Sequence, residues 1–184
     1  MNIFQVAKCV KDLNSCLPLQ NDASLKAATI QFNAGVYTEC IREIKERMQI
    51  SCTLLVAHTD TYFNGKNALA EIRVSQDMPS YGTKAFKEHS IKLIVSYELR
   101  NHGAITYIRG IAHEMSHIVL YSLQNKYEES EIATDITSML LGFSQATRES
   151  RSNAGYLNGV NFWTAYILIK ILQLKKNTLD KIKK

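Results

Sequence analysis

The sequence predicts a single α+β domain that covers residues 1–184 and ends in a basic tail at 175–184. Three short strand patterns fall in the first half of the chain, and the second half follows helical periodicity instead. Strands followed by helices are typical of the α+β class. A chain of 184 residues with 46% hydrophobic residues is long enough and apolar enough for one domain with a sizeable core.

The first half contains one predicted long helix and three predicted strands. Apolar residues recur at near-helical spacing over residues 24–48, which predicts a helix there. The run 52–57 is predicted as a strand, and so are 70–74 and 91–97, in which apolar and polar side chains alternate. The polar segment 75–90 is predicted to be a loop between the last two strands.

The second half contains three predicted helices. The first begins at a capping Asn101, runs to about residue 122 and has one largely apolar face. The second covers residues 126–141 and ends at Gly142, and the third covers residues 159–174. The apolar stretch of this last helix is shorter than the about 20 residues that a membrane span needs, so we predict no membrane span.

Charge and cysteine content narrow the possible classes of protein. The net charge is +5, but the last ten residues hold five lysines and one aspartate, which leaves +1 on the rest of the chain. A nucleic-acid-binding domain is expected to carry a basic stripe on its folded body, so we expect no nucleic-acid partner. The four cysteines form no CxxC pair, which argues against a cysteine-based zinc site. The first residues do not resemble a signal peptide, so we expect a cytoplasmic protein.

The segment His113-Glu114-Met115-Ser116-His117 lies within the first helix of the second half. A spacing of four residues places His113 and His117 on the same helix face, where two neutral imidazoles can bind one zinc ion. Glu114 is rotated by about 100° from His113 and borders that face, which is the position of a general base for a zinc-bound water. The alternative is an ordinary helix with two histidines. The motif predicts one Zn²⁺ per chain.

A catalytic zinc site needs a third protein ligand, and the acidic residues after the motif are the candidates. Glu128 could form a capping box with Asn125, which would give it a structural role. In a helical hairpin Glu131 would lie level with His117, so we favour Glu131 as the ligand and keep Glu128 as the alternative. Asp135 would then lie one turn deeper, where it could accept a hydrogen bond from the first histidine; the alternative is a surface acid.

The motif, together with Glu131 and Asp135, resembles the HExxH and ExxxD pattern of the gluzincin metallopeptidases. It is also similar to small peptidases of the ImmA/IrrE kind and to short bacterial zincin-like proteins. The resemblance implies a minimal zincin-like fold, in which a small, mostly antiparallel sheet packs on the HExxH helix and further helices follow. It implies that the two histidines and Glu131 bind zinc, that Glu114 is the base and that Asp135 supports a histidine. It further implies that the substrate lies along the strand 91–97 as the edge of the sheet.

Tyr156 is the candidate for a hydrogen-bond donor to the oxyanion of the transition state; the alternative is a packed tyrosine. Together these features predict a zinc metallopeptidase that hydrolyses peptide or protein amide bonds through a zinc-activated water. The alternative is a catalytically silent module of the same fold that binds a partner protein or acts as a regulator. An intact Glu114 favours the enzyme.

Overall fold

A computed structural model of the protein describes residues 1–22, 25–60, 69–75, 77–150, 156–157 and 159–182. These residues contain eight α-helices and one three-stranded sheet, so the predicted α+β class is confirmed.

Three helices precede the sheet: α1 (Ile3–Asn14), α2 (Lys26–Asn33) and α3 (Tyr37–Arg47). The prediction of a single helix over residues 24–48 was wrong, and residue 24 itself lies outside the described residues. Gly35 adopts φ +74° between α2 and α3, a left-handed conformation that ends a helix and that glycine adopts without strain. The apolar spacing continues across this break, which is why the sequence pattern did not reveal it.

The sheet consists of β1 (Thr53–Thr59), β2 (Ala70–Arg73) and β3 (Ser90–Ser96), in the order β1-β3-β2. All three predicted strands are present. The prediction of a mostly antiparallel sheet was wrong, because β3 pairs with β1 in parallel and with β2 antiparallel. The prediction that the strand 91–97 forms an edge was also wrong, because β3 is bonded on both sides. The edge strands of this sheet are β1 and β2.

The segment between β2 and β3 was predicted as a loop, and it contains a short helix, α4 (Lys84–Glu88). After β3, a 3₁₀-helix (Tyr97–His102) leads into α5 (Ala104–Ser122). The predicted cap Asn101 lies within the 3₁₀-helix, and the residue that precedes α5 is Gly103 at φ +82°. The predicted cap of the motif-bearing helix was therefore two residues early.

The helix after α5 begins later than predicted. Asn125 does not cap it: the side-chain oxygen of Asn125 accepts the N–H of Tyr127 at 3.0 Å within a turn. The helix α6 (Glu131–Ser138) begins after Ser130, whose hydroxyl accepts the N–H of Ala133 at 3.3 Å. A π-helical turn (Met139–Phe143) follows, and α7 (Ser144–Glu149) follows that turn. The predicted capping box was wrong, and the helix predicted over residues 126–141 is present but starts five residues later, at Glu131.

The last helix, α8 (Gly159–Ile182), starts where it was predicted but continues eight residues past residue 174. Most of the basic tail is therefore helical. No helix in the described part of the chain is long and apolar enough to cross a membrane.

The helix α5 lies at the centre of the molecule and packs against α2, α3, α6, α7 and β2. Four of its large side chains are fully buried in the hydrophobic core: Tyr107, Ile111, Met115 and Ile118. Because these residues fix the rotation of the helix, His113 and His117 are directed toward α6.

Candidate metal centre

Two histidines of α5 and the first residue of α6 converge on one point. The ligand atoms that His113, His117 and Glu131 offer lie within 4.8 Å of one another. The Oε2 atom of Glu131 is 3.0 Å from Nε2 of His113 and 3.6 Å from Nε2 of His117. Two ligands bound to one tetrahedral zinc at about 2.0–2.1 Å stand about 3.4 Å apart. The observed separations therefore fit ligands that share one ion.

The hydrogen bonds of His113 indicate that a cation belongs at this point. Its Nδ1 lies 2.9 Å from Oδ1 of Asp135 and donates its proton to that carboxylate. In a neutral ring, Nε2 then carries a lone pair, and this lone pair faces the carboxylate oxygen of Glu131 at 3.0 Å. Two acceptors at that distance repel each other unless a proton or a metal ion lies between them. The donor set fits a metal ion.

Without a metal ion, a proton occupies the same place. Burial disfavours the charged imidazole, but the hydrogen bonds to Asp135 and Glu131 outweigh it and raise the pKa of His113 to about 9. The hydrogen bonds with His113 and His117 likewise hold the pKa of Glu131 far below its usual range. The metal-free centre is therefore a protonated histidine beside an ionised glutamate.

His117 is oriented by α6 as well. The hydroxyl of Thr134 donates to the backbone oxygen of Ser130 at 3.1 Å, and its oxygen lies 3.5 Å from Nδ1 of His117. A hydroxyl oxygen in this position can accept the Nδ1–H of the ring at the outer limit of hydrogen-bond distance. Both histidines therefore direct Nε2 toward Glu131 and Nδ1 toward a side chain of α6.

Asp135 is a fully buried carboxylate with four hydrogen-bond donors around it. Its Oδ1 accepts from His113 and, at 3.0 Å, from the guanidinium of Arg109. Its Oδ2 accepts the backbone N–H groups of Tyr156 at 2.9 Å and of Leu157 at 3.0 Å. Burial alone would raise the pKa of Asp135, but the hydrogen bond and charge of His113 and the charge of Arg109 outweigh burial and lower it. One carboxylate thus fixes both the ring of His113 and the segment that carries Tyr156.

Glu114 points toward the edge strand β2. Its Oε2 accepts the backbone N–H of Ile72 at 3.1 Å. Burial raises the pKa of Glu114, although the positive charges of His113 and His117 act in the opposite direction. The carboxylate lies within electrostatic range of both histidines and of Glu131 but is not part of the cluster of possible ligands.

Tyr156 borders the centre through contacts with His113 and Asp135. Its ring stacks on the ring of His113, with centroids 5.5 Å apart and planes 24° from parallel. The residue is 57% exposed, so its ring packs on His113 without being part of the hydrophobic core. Burial of part of the side chain and the charges of Glu131, Glu114 and Asp135 raise the pKa of its hydroxyl, which therefore keeps its proton at neutral pH.

The structure brings together all six candidate residues, but it also contains contacts that the sequence analysis missed. Glu131 reaches the histidines because α6 begins there, whereas Glu128 lies in the preceding turn. Arg109 was missed, although it stands four residues before His113 and so shares its face of α5. The backbone donors of Ile72 and Leu157 have no sequence signal, because any non-proline residue offers an N–H.

Among the residues that the structure describes, His113, His117 and Glu131 form the only group of three histidine, cysteine or acidic side chains close enough to hold a metal ion. In comparisons with known proteins, no family model, no curated protein and no solved structure matches this chain.

Proposed function

We propose that the protein is a zinc-dependent metallopeptidase that hydrolyses amide bonds in peptides or proteins. The observation that carries the proposal is the convergence of His113, His117 and Glu131, with the carboxylate of Glu114 beside them and outside the ligand group. Two histidines and one glutamate are the protein ligands of a common class of catalytic zinc centre. Structural zinc centres usually have four ligands and are rich in cysteine, whereas this group has three possible ligands and no cysteine.

Two histidines and one carboxylate can also bind Fe²⁺, as in the oxygenases that use this ligand set. The position of Glu114 favours hydrolysis over oxygen chemistry, because a carboxylate that does not bind the metal is available to move protons. Metal analysis of the purified protein distinguishes zinc from iron directly.

Each residue of the centre has a chemical role in the proposed reaction. A bound zinc ion would lower the pKa of a water molecule that it holds to about 7 and would polarise the substrate carbonyl. Glu114 accepts the proton of the attacking water and later delivers it to the leaving amine. The hydroxyl of Tyr156 donates a hydrogen bond to the oxygen that becomes negative in the transition state. Asp135 keeps the ring of His113 in the tautomer that leaves Nε2 free for the metal.

A second candidate function is that of a catalytically silent module that binds a partner protein. The hydrogen bond from Ile72 to Glu114 favours this candidate, because it gives Glu114 a structural role that needs no catalysis. The two candidates differ in what happens when Glu114 is changed without breaking that bond.

The Glu114→Gln variant makes this distinction. Its amide oxygen can still accept the N–H of Ile72, but a glutamine cannot take a proton from water. We expect zinc content and thermal stability to remain, and hydrolysis of a mixture of fluorogenic peptides to fall by about 10²–10⁴-fold. The matched control is Glu128→Gln, the same chemical change in the turn before α6, which should keep full activity.

Equal peptide hydrolysis by the wild type and Glu114→Gln would overturn the enzymatic proposal. Loss of zinc in Glu114→Gln would mean that Glu114 is itself a ligand. If the wild-type protein binds zinc and cleaves neither the peptides nor unfolded protein substrates, the silent module is the better description.

A further inference from the structure

The helix α8 is apolar on two opposite faces. One face is buried in the core through Phe162, Ala165 and Ile169. The other carries five large apolar side chains that are 42–67% exposed, Val160, Trp163, Ile167, Ile171 and Leu174, which we call the outer stripe. At 100° per residue, the centres of the two faces lie about 160° apart around the helix axis. A surface helix with one partner is expected to be polar on its outer face, so the outer stripe is a candidate contact surface.

The spacing within the outer stripe is symmetric. Its members are separated by three, four, four and three residues, so the stripe reads the same in both directions from Ile167. If two copies of α8 pack antiparallel with a two-fold axis at Ile167, Val160 lies level with Leu174 of the second copy. Trp163 then lies level with Ile171 of the second copy in the same way. A surface that complements itself under a two-fold rotation is what a symmetric dimer requires.

The charges on α8 are compatible with this antiparallel arrangement. Its charged residues lie in the second half of the helix: Lys170, Lys175, Lys176, Asp180 and Lys181. In the antiparallel pair, Lys170 lies level with Thr164 of the second copy and Lys175 with its Gly159, so no lysine of one α8 lies level with a lysine of the other. A parallel pair would instead place the lysines of the two copies side by side, where like charges repel.

The N-terminus of the chain lies beside the start of α8. The side chain of Asn161 donates to the backbone oxygen of Met1 at 2.9 Å, which holds the start of α1 beside the start of α8. Ile3 and Phe4 in the first turn of α1 are 47% and 85% exposed. These exposed apolar side chains therefore lie at the same end of the molecule as the start of α8.

We propose that the outer stripe is the interface of a symmetric homodimer in which two α8 helices pack antiparallel across Ile167. The proposal does not depend on the metal centre. One exposed apolar residue of the helix, Leu179, lies off the stripe and outside the proposed contact.

Disulfide trapping in the full chain tests the geometry. Cys16 is the exposed one among the four cysteines, so the substitutions are made in a Cys16→Ser background. Ile167→Cys lies on the two-fold axis and should form a covalent dimer under mild oxidation. Val160→Cys alone should not, because the two copies of that residue are about 21 Å apart along the axes. The combination of Val160→Cys with Leu174→Cys should cross-link again.

Cross-linking by Val160→Cys alone, as efficient as by Ile167→Cys, would mean a parallel pair and would overturn the proposal. Failure of Ile167→Cys to cross-link at a protein concentration where the wild type is dimeric would overturn it as well.

Light scattering after size exclusion tests the stoichiometry without new cysteines. The wild type should have twice the chain mass of 20.8 kDa, and Ile167→Glu should have the mass of a single chain. The matched control is Ile30→Glu on α2, because Ile30 is 54% exposed and Ile167 is 53% exposed. The control should stay dimeric, and circular dichroism should show that both variants are folded.

A monomeric wild type at about 100 μM would overturn the proposal. Flotation of that monomer with phosphatidylserine vesicles, but not with phosphatidylcholine vesicles, would assign the outer stripe and its lysines to an anionic lipid surface instead.

Discussion

At the scale of single residues, the candidate centre depends on two carboxylates, each of which contacts a different nitrogen atom of His113. Asp135 takes the proton of Nδ1, and Glu131 faces the lone pair of Nε2. The first contact fixes the tautomer, and the second creates a place that only a cation can occupy. The roles of the two carboxylates therefore differ, although both touch the same ring.

The exchange of Glu131 for alanine tests the choice of the third ligand. Glu131→Ala should lose most of its zinc affinity, because only two of the three protein ligands, the imidazoles of His113 and His117, would remain. Glu128→Ala should keep its affinity, and its free energy of unfolding should change by less than about 0.5 kcal/mol, since Glu128 has no role in a helix cap. Chelator competition measures both affinities, and loss of zinc from Glu128→Ala with retention in Glu131→Ala would reverse the assignment.

The exchange of Asp135 for asparagine tests the role of the buried carboxylate. In Asp135→Asn, an amide nitrogen replaces one carboxylate oxygen. That nitrogen would face two N–H donors whose hydrogen bonds the oxygen now accepts. We expect a loss of about 1–3 kcal/mol in the free energy of unfolding of the metal-free protein. Zinc affinity should fall by about 10–100-fold, which is typical for groups that orient a ligand. Urea unfolding measures the stability, and the exposed exchange Asp77→Asn serves as its control; equal stabilities of the two variants would contradict the account.

The raised pKa of His113 predicts how zinc affinity depends on pH. With a pKa of about 9, the metal-free histidine is protonated at neutral pH, and zinc must displace that proton. The apparent affinity should therefore rise with pH by up to about tenfold per pH unit, and the rise should continue above pH 7. A histidine with the ordinary pKa of about 6.5 would give almost no change there. Competition with a chelator of known protonation behaviour measures the slope, and a flat profile above pH 7 would contradict the raised pKa.

At the same scale, the residues that could be predicted from the sequence are those whose spacing places them on one helix face. The four-residue spacings of His113 with His117 and of Glu131 with Asp135 place each pair on one helix face. The argument for Glu131 assumed a helix that starts at residue 126, and the structure reaches the same contact by starting α6 at Glu131 itself. Contacts made by backbone groups of β2 and of residues 156–157 could not be predicted, because they depend on how distant segments meet.

At the scale of secondary-structure elements, strands and helix faces were easier to predict than helix ends. The three strands and the central helix follow from hydrophobic periodicity, which spans many residues. Helix ends depend on single residues, such as the left-handed Gly35 or the capping Ser130, whose effect the periodicity hides. Strand order depends on contacts between segments far apart in sequence, so the central position of β3 had no local signal.

Gly142 shows how one residue shapes the chain after α6. It adopts φ +98° inside the π-helical turn, and a Cβ atom there would lie 2.7 Å from the backbone oxygen of Asn21. Gly82 has a similar φ of +78°, but a Cβ atom there would meet no atom within 4 Å. A side chain at either position would therefore strain the backbone, but only a side chain at Gly142 would also clash with a neighbouring atom.

We expect Gly142→Ala to lower the free energy of unfolding by more than Gly82→Ala does. The backbone conformation costs each variant about 1 kcal/mol, and the clash with Asn21 should add roughly 1–3 kcal/mol to the first. Urea unfolding of both variants measures the difference. Equal losses would mean that the chain around Asn21 moves freely and that the turn is not fixed by this contact.

At the scale of the whole molecule, the candidate centre joins two elements of the core. Its ligands come from α5 and α6, and Asp135 extends the link to the segment before α8. A metal ion that binds the folded chain and not the unfolded one stabilises the fold, by about 2.7 kcal/mol when its free concentration is 100 times Kd. The same ion would therefore serve both the proposed reaction and the stability of the fold.

The zinc content of the purified protein tests the central claim most directly. The full chain is produced in zinc-supplemented medium, dialysed against metal-free buffer and analysed for zinc and iron, together with the His117→Ala variant. We expect about one zinc and no iron per chain in the wild type, because three ligands from α5 and α6 suit one catalytic ion. His117→Ala should lose that zinc while keeping its helical circular dichroism. A wild type without zinc, or a His117→Ala variant with as much zinc as the wild type, would contradict the account.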